Sequence, residues 1–480
     1  MANGTLPAYL ASAKPNPMSA RAPWYATIAP SYAGIFLWIA FYNDLGNALP
    51  LGGLGAALLG LVVAGLVSYL LFYYVFGTLG MRTGLPLYVV GSSTFGTKGG
   101  YLFPGIFMGL LQIGWYSVAT YFAAKLLLLA LPASWEMAPK TIFDASEDGK
   151  GFSLLFVIVA IAWGYIFAFF GALGIKYVAR VSSIFPWVAL AMLVIAAACA
   201  AGGVGKFEPP EGQSIGAIAA ICLVVQMVVG FFATAGAAGV DFGTAARNEK
   251  DVNLGGLVGV ALATIVAGGL AVIAVAGAHG MNPALEAFTF DGKGVLSTVS
   301  PKLAGLMFLL FAIGSMAPAC FCSSIIGNSL STMIPSLPRI PLTLGGATIG
   351  IVLAATGLAG NLLPFFGLIG ASFGPICGAM VADYLLSGKK WAGPREGVSV
   401  AGYAAWIIGF LVGISNNAVV TGALGKELVA EWQPTAVYSF IVGFVVFAVL
   451  AKAGLQGKVV PYAHAAPAAG AAPATGPASA

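Results

Sequence analysis

Long apolar stretches separated by short polar breaks run along almost the whole chain. Twelve of them approach the ~20 residues that a helix needs to cross a bilayer. They lie near 30–49, 53–79, 101–131, 153–173, 180–202, 215–239, 254–279, 302–330, 342–360, 362–386, 399–421 and 435–453. Two carry interruptions. In the sixth, Val228 to Asp241 holds Gly230, Gly236 and Gly239 with Thr234 among them, beside Phe231 and Phe232. Each glycine weakens a helix interior by about 1 kcal/mol relative to alanine. In the first, Ile35 to Tyr42 runs into Asn43-Asp44-Leu45-Gly46-Asn47 and then Pro50. Broken helix inside a bilayer is tolerated only where it lines a protein cavity. A pair of interrupted spans opening two five-span halves points to the central site of a transporter. The competing reading is that the small residues only allow close helix packing.

Four segments follow from this pattern: a cytoplasmic N-terminal piece (1–29), a ten-helix core (30–390), two additional spans (391–455) and a disordered Ala/Pro/Gly-rich cytoplasmic tail (456–480). With the N-terminus inside, most lysines and arginines, among them Arg21, Arg82, Arg247, Arg339 and Arg395, fall on the cytoplasmic side. Lys140, Lys150, Lys206, Lys293, Lys302 and Lys426 fall outside. That asymmetry predicts a plasma or inner-membrane protein with both termini in the cytoplasm.

Composition sharpens the class. The 480 residues are 59% hydrophobic and 8% charged, against about 25% charged in soluble domains. The chain is therefore expected to be an all-α polytopic membrane protein. The net charge of +5 is spread over loops, which argues against nucleic acid as a partner. His279 and His464 stand at a loop edge and in the tail, and all five cysteines lie in apolar spans. No nucleophile–base pair or metal-ligand spacing emerges, so neither an enzyme nor an organic cofactor is expected. Residues 1–27 lack the apolar core of a signal peptide.

Polar groups inside spans are the candidate chemistry. Gln112 and Trp115, three apart in the third span, share a helix face. An amide that donates and accepts beside a π-platform suits a flat hydrogen-bonding ring, or else Gln112 bonds a neighbouring helix. Asp44 is the one carboxylate placed well inside a span, where ionisable residues are functional candidates; Lys125 is a possible partner, and Asn43 precedes it. Asp383 reads as a structural helix-end residue. In the eighth span Pro318 removes a backbone donor, and Ser315 adds a hydroxyl. Carbonyls with a hydroxyl suit a small hard cation.

The residues resemble the nucleobase:cation symporter-1 family, with its cytosine and hydantoin permeases. The stretches that carry the likeness are Thr83-Gly84-Leu85, Phe95-Gly96 with Lys98-Gly99, Gln112-Ile113-Gly114-Trp115, Gly230 to Gly236 with Asp241-Phe242, and Pro375-Ile376-Cys377-Gly378 with Ala382-Asp383-Tyr384. The resemblance spans about residues 30 to 390. It implies a five-plus-five inverted-repeat core with broken first and sixth helices plus two extra helices. It also implies alternating-access import of a nucleobase or related heterocycle, driven by sodium or protons. By the same resemblance Trp115 and Phe232 sandwich the ring, Gln112 bonds its edge, and backbone near Phe231 and Ala235 completes the contact. Asn43 and Asp44 join this substrate set, because they are unusual for the first span and offer polarity there. A sodium site maps onto Gly34, Trp38, Ala312, Ser315 and Met316. The likeness departs at Met316, where sodium-coupled members carry a second hydroxyl, and at Ala317-Pro318-Ala319, which lacks the asparagines of cytosine permeases. The partners expected are a heterocyclic solute and the lipid bilayer, with the chain acting as a monomer. The alternative is an amino-acid or other small-solute symporter of the same fold.

Overall fold

The computed structural model describes residues 6–131, 154–285, 287–290, 294–298, 301–360, 362–417 and 432–462. The acidic loop residues Glu136, Asp144, Glu147 and Asp148, and the tail from 463, lie outside them. Among the described residues regular structure is helical, with two isolated β-bridges, Ala22 with Ala246 and Arg395 with Val459. Nine helices there are long and apolar enough to cross a membrane, and two shorter apolar ones cover Arg339–Ala355 and Val400–Ile414.

The first span comes in two pieces, Ile28–Phe36 and Ile39–Gly46. Between them Leu37 (φ −90°, ψ 57°) and Trp38 (φ −137°, ψ 130°) leave the helical region. The break thus lies before Asn43-Asp44, the pair at which the polar pattern places it, and both of those residues are helical. Intrinsic helix propensities differ by only tenths of a kcal/mol among such residues. The position is set instead by the buried Trp38 ring, which packs 6.3 Å from Trp115 and 6.2 Å from Phe231, centroid to centroid.

The sixth span does break within Val228–Asp241, but at Ala238, near the end of that stretch rather than at its glycine-rich centre. Its helix, Ala217–Ala237, runs without interruption across Gly230 and Gly236, turns at Ala238, and is followed by a short helix, Gly239–Gly243. Here the glycines serve packing. A Cβ on Gly236 would come within 2.8 Å of the Phe72 Cβ on the second span. One on Gly80 would lie 1.9 Å from the Val240 carbonyl oxygen. Second and sixth spans therefore touch backbone to backbone, the contact that small residues permit. The eighth span is interrupted in the same way, running as Pro301–Gly314 and Met316–Met333 with the single residue Ser315 at the turn.

Polar bonds tie the helices together at the end that carries the N-terminal segment. The Asp241 carboxylate accepts the Leu87 N–H (3.3 Å) and the Asn328 amide (3.0 Å). Asn328 in turn accepts from Arg339, which also donates to the Ala172 carbonyl at 2.9 Å. This chain joins the sixth, eighth, ninth and fourth spans to the loop after the second. The N-terminal segment lies across it, with Arg21 donating to the carbonyls of Met81 (2.6 Å) and Ala246 (3.2 Å). The start of the tail is also held, since Val460 N–H bonds the Pro394 carbonyl (2.8 Å) and Tyr462 bonds that of Leu10 (3.0 Å).

Candidate functional site

A narrow slot forms where the first, third, sixth and eighth spans meet. Its cavity volume is about 30 Å³, room for a water but not for a flat ring. Ile35 and Trp38 line it at the first-span break, and Gln112, Trp115 and Ala119 from the third span. The sixth supplies Phe231, Thr234 and Ala235, and the eighth Pro318, Phe321 and Cys322.

The three-residue spacing of Gln112 and Trp115 works as expected, because both lie on the buried face of one helix, Phe107–Leu129. The same i, i+3 logic brings Thr234 beside Phe231, and Phe321 beside Pro318. That periodicity was available in the sequence as a signal for Thr234, read only as loosening the sixth helix, and for Phe321 and Cys322, assigned to no site.

Four aromatic side chains line the slot, Trp38, Trp115, Phe231 and Phe321. Trp115 meets Phe231 edge-on at 5.1 Å and 79°, while Trp38 lies 6.2 Å from Phe231 at 34°. A flat ring sandwiched between two others needs its neighbours about 7 Å apart and near parallel, at ordinary carbon contact distances. The walls as they stand are closer and crossed, so admitting a ring requires Trp115 and Phe231 to part and turn.

Phe232 does not share this surface. It is fully buried, stacked on Phe36 at 5.6 Å and 21° and packed against Tyr32 at 5.8 Å. Successive residues of an unbroken helix point about 100° apart, so only one of Phe231 and Phe232 can face the third span. The resemblance assigned the sandwich to Phe232; the geometry gives that wall to Phe231.

Several lining groups have unmet hydrogen bonds. Oε1 of Gln112, Oγ1 of Thr234 and Nε1 of Trp38 are buried without a partner among the described residues. The Gln112 amide nitrogen reaches only the Met108 thioether, at 3.9 Å. A buried polar group left unpaired costs roughly 1–3 kcal/mol. A solute with complementary donors and acceptors recovers that loss, which gives the slot its polarity preference.

Asn43 and Asp44 lie beyond the break and do not line the slot. Asn43 Oδ1 accepts the Phe290 N–H at 2.7 Å, fastening the segment before the eighth span onto the first. Gly46 makes that seating possible, since a Cβ there would be 2.0 Å from the Phe288 carbonyl oxygen. Asp44 is buried with Oδ2 unpartnered among the described residues. Lys125 and Asn43 line a separate small cavity. Asn43→Ala is expected to speed amide exchange at Phe290 about tenfold, the loss of one ordinary hydrogen bond, while leaving ring binding unchanged. Exchange mass spectrometry with a parallel binding titration checks both.

Of the residues assigned to a cation, Trp38 lines the slot, whereas Gly34 meets the eighth span near Ser315. Gly34 packs so closely on the eighth span that a Cβ would stand 2.9 Å from the Ala317 Cβ. The Leu37 carbonyl oxygen lies 3.8 Å from the corresponding point on Gly314. Ser315 donates its hydroxyl to Phe311 at 3.1 Å, and its N–H contacts the Phe311 and Ala312 carbonyls. Pro318 has no N–H to offer the Gly314 carbonyl four residues earlier. Oxygen donors with freed carbonyls fit a hard cation, and Met316 adds only a thioether.

A helical membrane transporter is the class that this architecture and slot define. Residues 45–443 match the family described as permeases for cytosine/purines, uracil, thiamine and allantoin, and the chain belongs to it. It is an integral membrane permease, not an enzyme. A cytosine permease of Escherichia coli O157:H7 is 23% identical over 345 residues, covering 70% of this chain and 71% of that protein. The fold is similar to Mhp1, a nucleobase-cation-symport-1 family transporter in a closed conformation with bromovinylhydantoin bound. The TM-score is 0.67 at 16% identity, over 92% of this chain and 94% of that one. A Na+-coupled sialic acid symporter in an outward-open state is more distant, with a TM-score of 0.58 at 14% identity over 92% of each chain.

Proposed function

We propose that the protein is a secondary active transporter that imports a nucleobase or related planar heterocycle by alternating access. It sits in the cell membrane with both termini in the cytoplasm, and a sodium or proton gradient drives it. One observation carries this reading: aromatic side chains from four spans surround unpartnered hydrogen-bonding groups at Gln112, Thr234 and Trp38. Flat faces with a few polar contacts suit a small aromatic or amide-containing ring. An amino acid would leave most of those faces without a counterpart. Coupling requires that ring and ion favour the same conformation. The first-span break supports this, because Trp38 lines the slot while Leu37 and Gly34 beside it face the eighth span.

The test is a thermal-shift screen of the purified full-length protein with cytosine, uracil, purines, thiamine, allantoin and hydantoins. Each is measured in sodium and in potassium, at two pH values. A ring compound is expected to stabilise the protein, more so in the presence of the driving ion. Stabilisation by amino acids alone overturns the assignment.

A further inference from the structure

Hydroxyls within the helices of this protein almost all bond back to a carbonyl three or four residues earlier. Ser31, Thr78, Ser183, Thr264, Ser323 and Ser372 do so at 2.6–2.9 Å. Such back-bonding is the default for Ser and Thr inside a helix. Ser182, in the fifth-span helix Ile175–Ala200, departs from it. Its Oγ is buried and has no hydrogen-bond partner among the described residues, although Ser183 beside it bonds Ala179 at 2.6 Å. A buried hydroxyl without a partner is costly, so its position calls for a ligand.

That position faces Gly34, one turn before the first-span break. A Cβ on Gly34 would lie 3.5 Å from Ser182 Oγ, 3.3 Å from Pro186 Cγ and 2.9 Å from Ala317 Cβ. Fifth, first and eighth spans therefore meet at this one point. Backbone bonds from Leu37 and Trp38 to the preceding turn are not formed, which leaves the carbonyls around Gly34 without their helical donors. The Gly314 carbonyl is released by Pro318. The eighth span contributes a single hydroxyl at this level, Ser315, since its neighbour is Met316.

We propose that Ser182 supplies a hydroxyl oxygen from the fifth span to a sodium ion held between the first-span break and Ser315. The inference rests on the coupled-transport reading and deepens it, because it makes the cation a tie among three spans rather than two. A cavity lined by Thr27, Ala179, Arg180 and Ser183 opens one residue away along the fifth span. Movement of that span would then join the ion's place to this cavity.

The experiment titrates sodium against the thermal stability of purified full-length protein, at constant ionic strength with potassium as replacement. Wild type, Ser182→Ala, Ser182→Cys and Ser183→Ala are compared, with ring-compound affinity measured at saturating sodium. Cysteine keeps the size but offers a soft sulfur in place of a hard oxygen, so it serves if alanine fails to fold. Ser182→Ala and Ser182→Cys are expected to raise the sodium midpoint tenfold or more, with ring affinity at saturating sodium within threefold of wild type. Ser183→Ala is expected to match wild type. An unchanged midpoint in the folded Ser182 variants overturns the proposal, as does a wild type that binds rings but does not respond to sodium. Both outcomes leave the heterocycle reading standing; a failure of every ring compound to bind removes that reading instead.

Discussion

Trp115→Ala is expected to abolish saturable uptake and to weaken ring binding roughly tenfold or more, with the protein still folded. Stacking of a base on an aromatic side chain is worth about 1–3 kcal/mol, and Trp115 lines the slot from the third span. Phe231→Ala is expected to act alike, because Phe231 is the ring opposite, 5.1 Å from Trp115. Phe232→Ala provides the contrast. Its ring is locked between Phe36 and Tyr32, so its loss leaves a core cavity and costs about 3–5 kcal/mol of stability. The fraction that remains folded should bind with near-wild-type affinity. Equilibrium binding and melting curves on the three variants separate a slot wall from a core residue. Wild-type affinity in both Trp115→Ala and Phe231→Ala would remove the site.

Arg395→Ala is expected to be the most destabilising single charge removal, and to leave ring affinity intact. Asp383 in the tenth span is held by three side chains. Its Oδ1 accepts from Arg395 at 3.0 Å, and its Oδ2 accepts from Ser93 at 2.6 Å and Thr94 at 3.1 Å. Arg395 also donates to the Ser93 carbonyl at 2.8 Å. The side chains are only 9% and 4% exposed, so neither charge has water to turn to. Breaking a buried pair by deleting one member costs roughly 3–5 kcal/mol, since the other is left uncompensated. In a chain of this size that corresponds to a fall in Tm of roughly 5 °C. The double variant Asp383→Asn/Arg395→Gln, which removes both charges, is expected to lose less than Arg395→Ala alone. Equal losses would show that packing, not the uncompensated charge, sets the cost.

Both outcomes depend on how far local pattern reaches. The reading of Asp383 as structural agrees with its place, but its partners Ser93, Thr94 and Arg395 come from distant loops that no periodicity connects. Gln112 and Trp115 were legible together because three residues of helix put both on one face whatever that face meets. Phe231 and Phe232 were not separable, since both are apolar and adjacent. The choice between them depends on the rotation of the sixth helix against the third. Asn43 misled for a related reason: polarity inside an apolar span marks a partner, and that partner is the Phe290 backbone rather than a solute.

What the amino-acid order determined alone is whatever depends on length and phase along one helix. That covers the apolar spans, the all-helical membrane class and the shared face of Gln112 and Trp115. The tertiary structure decided where helices break and which face turns inward. The first span parts at Leu37–Trp38 and the eighth at Ser315, while the glycine-rich sixth stays whole as far as Ala237. Propensity differences of about 1 kcal/mol or less per residue are outweighed there by the packing of large buried rings and backbone close contacts. Those contacts exist only once separate spans have come together.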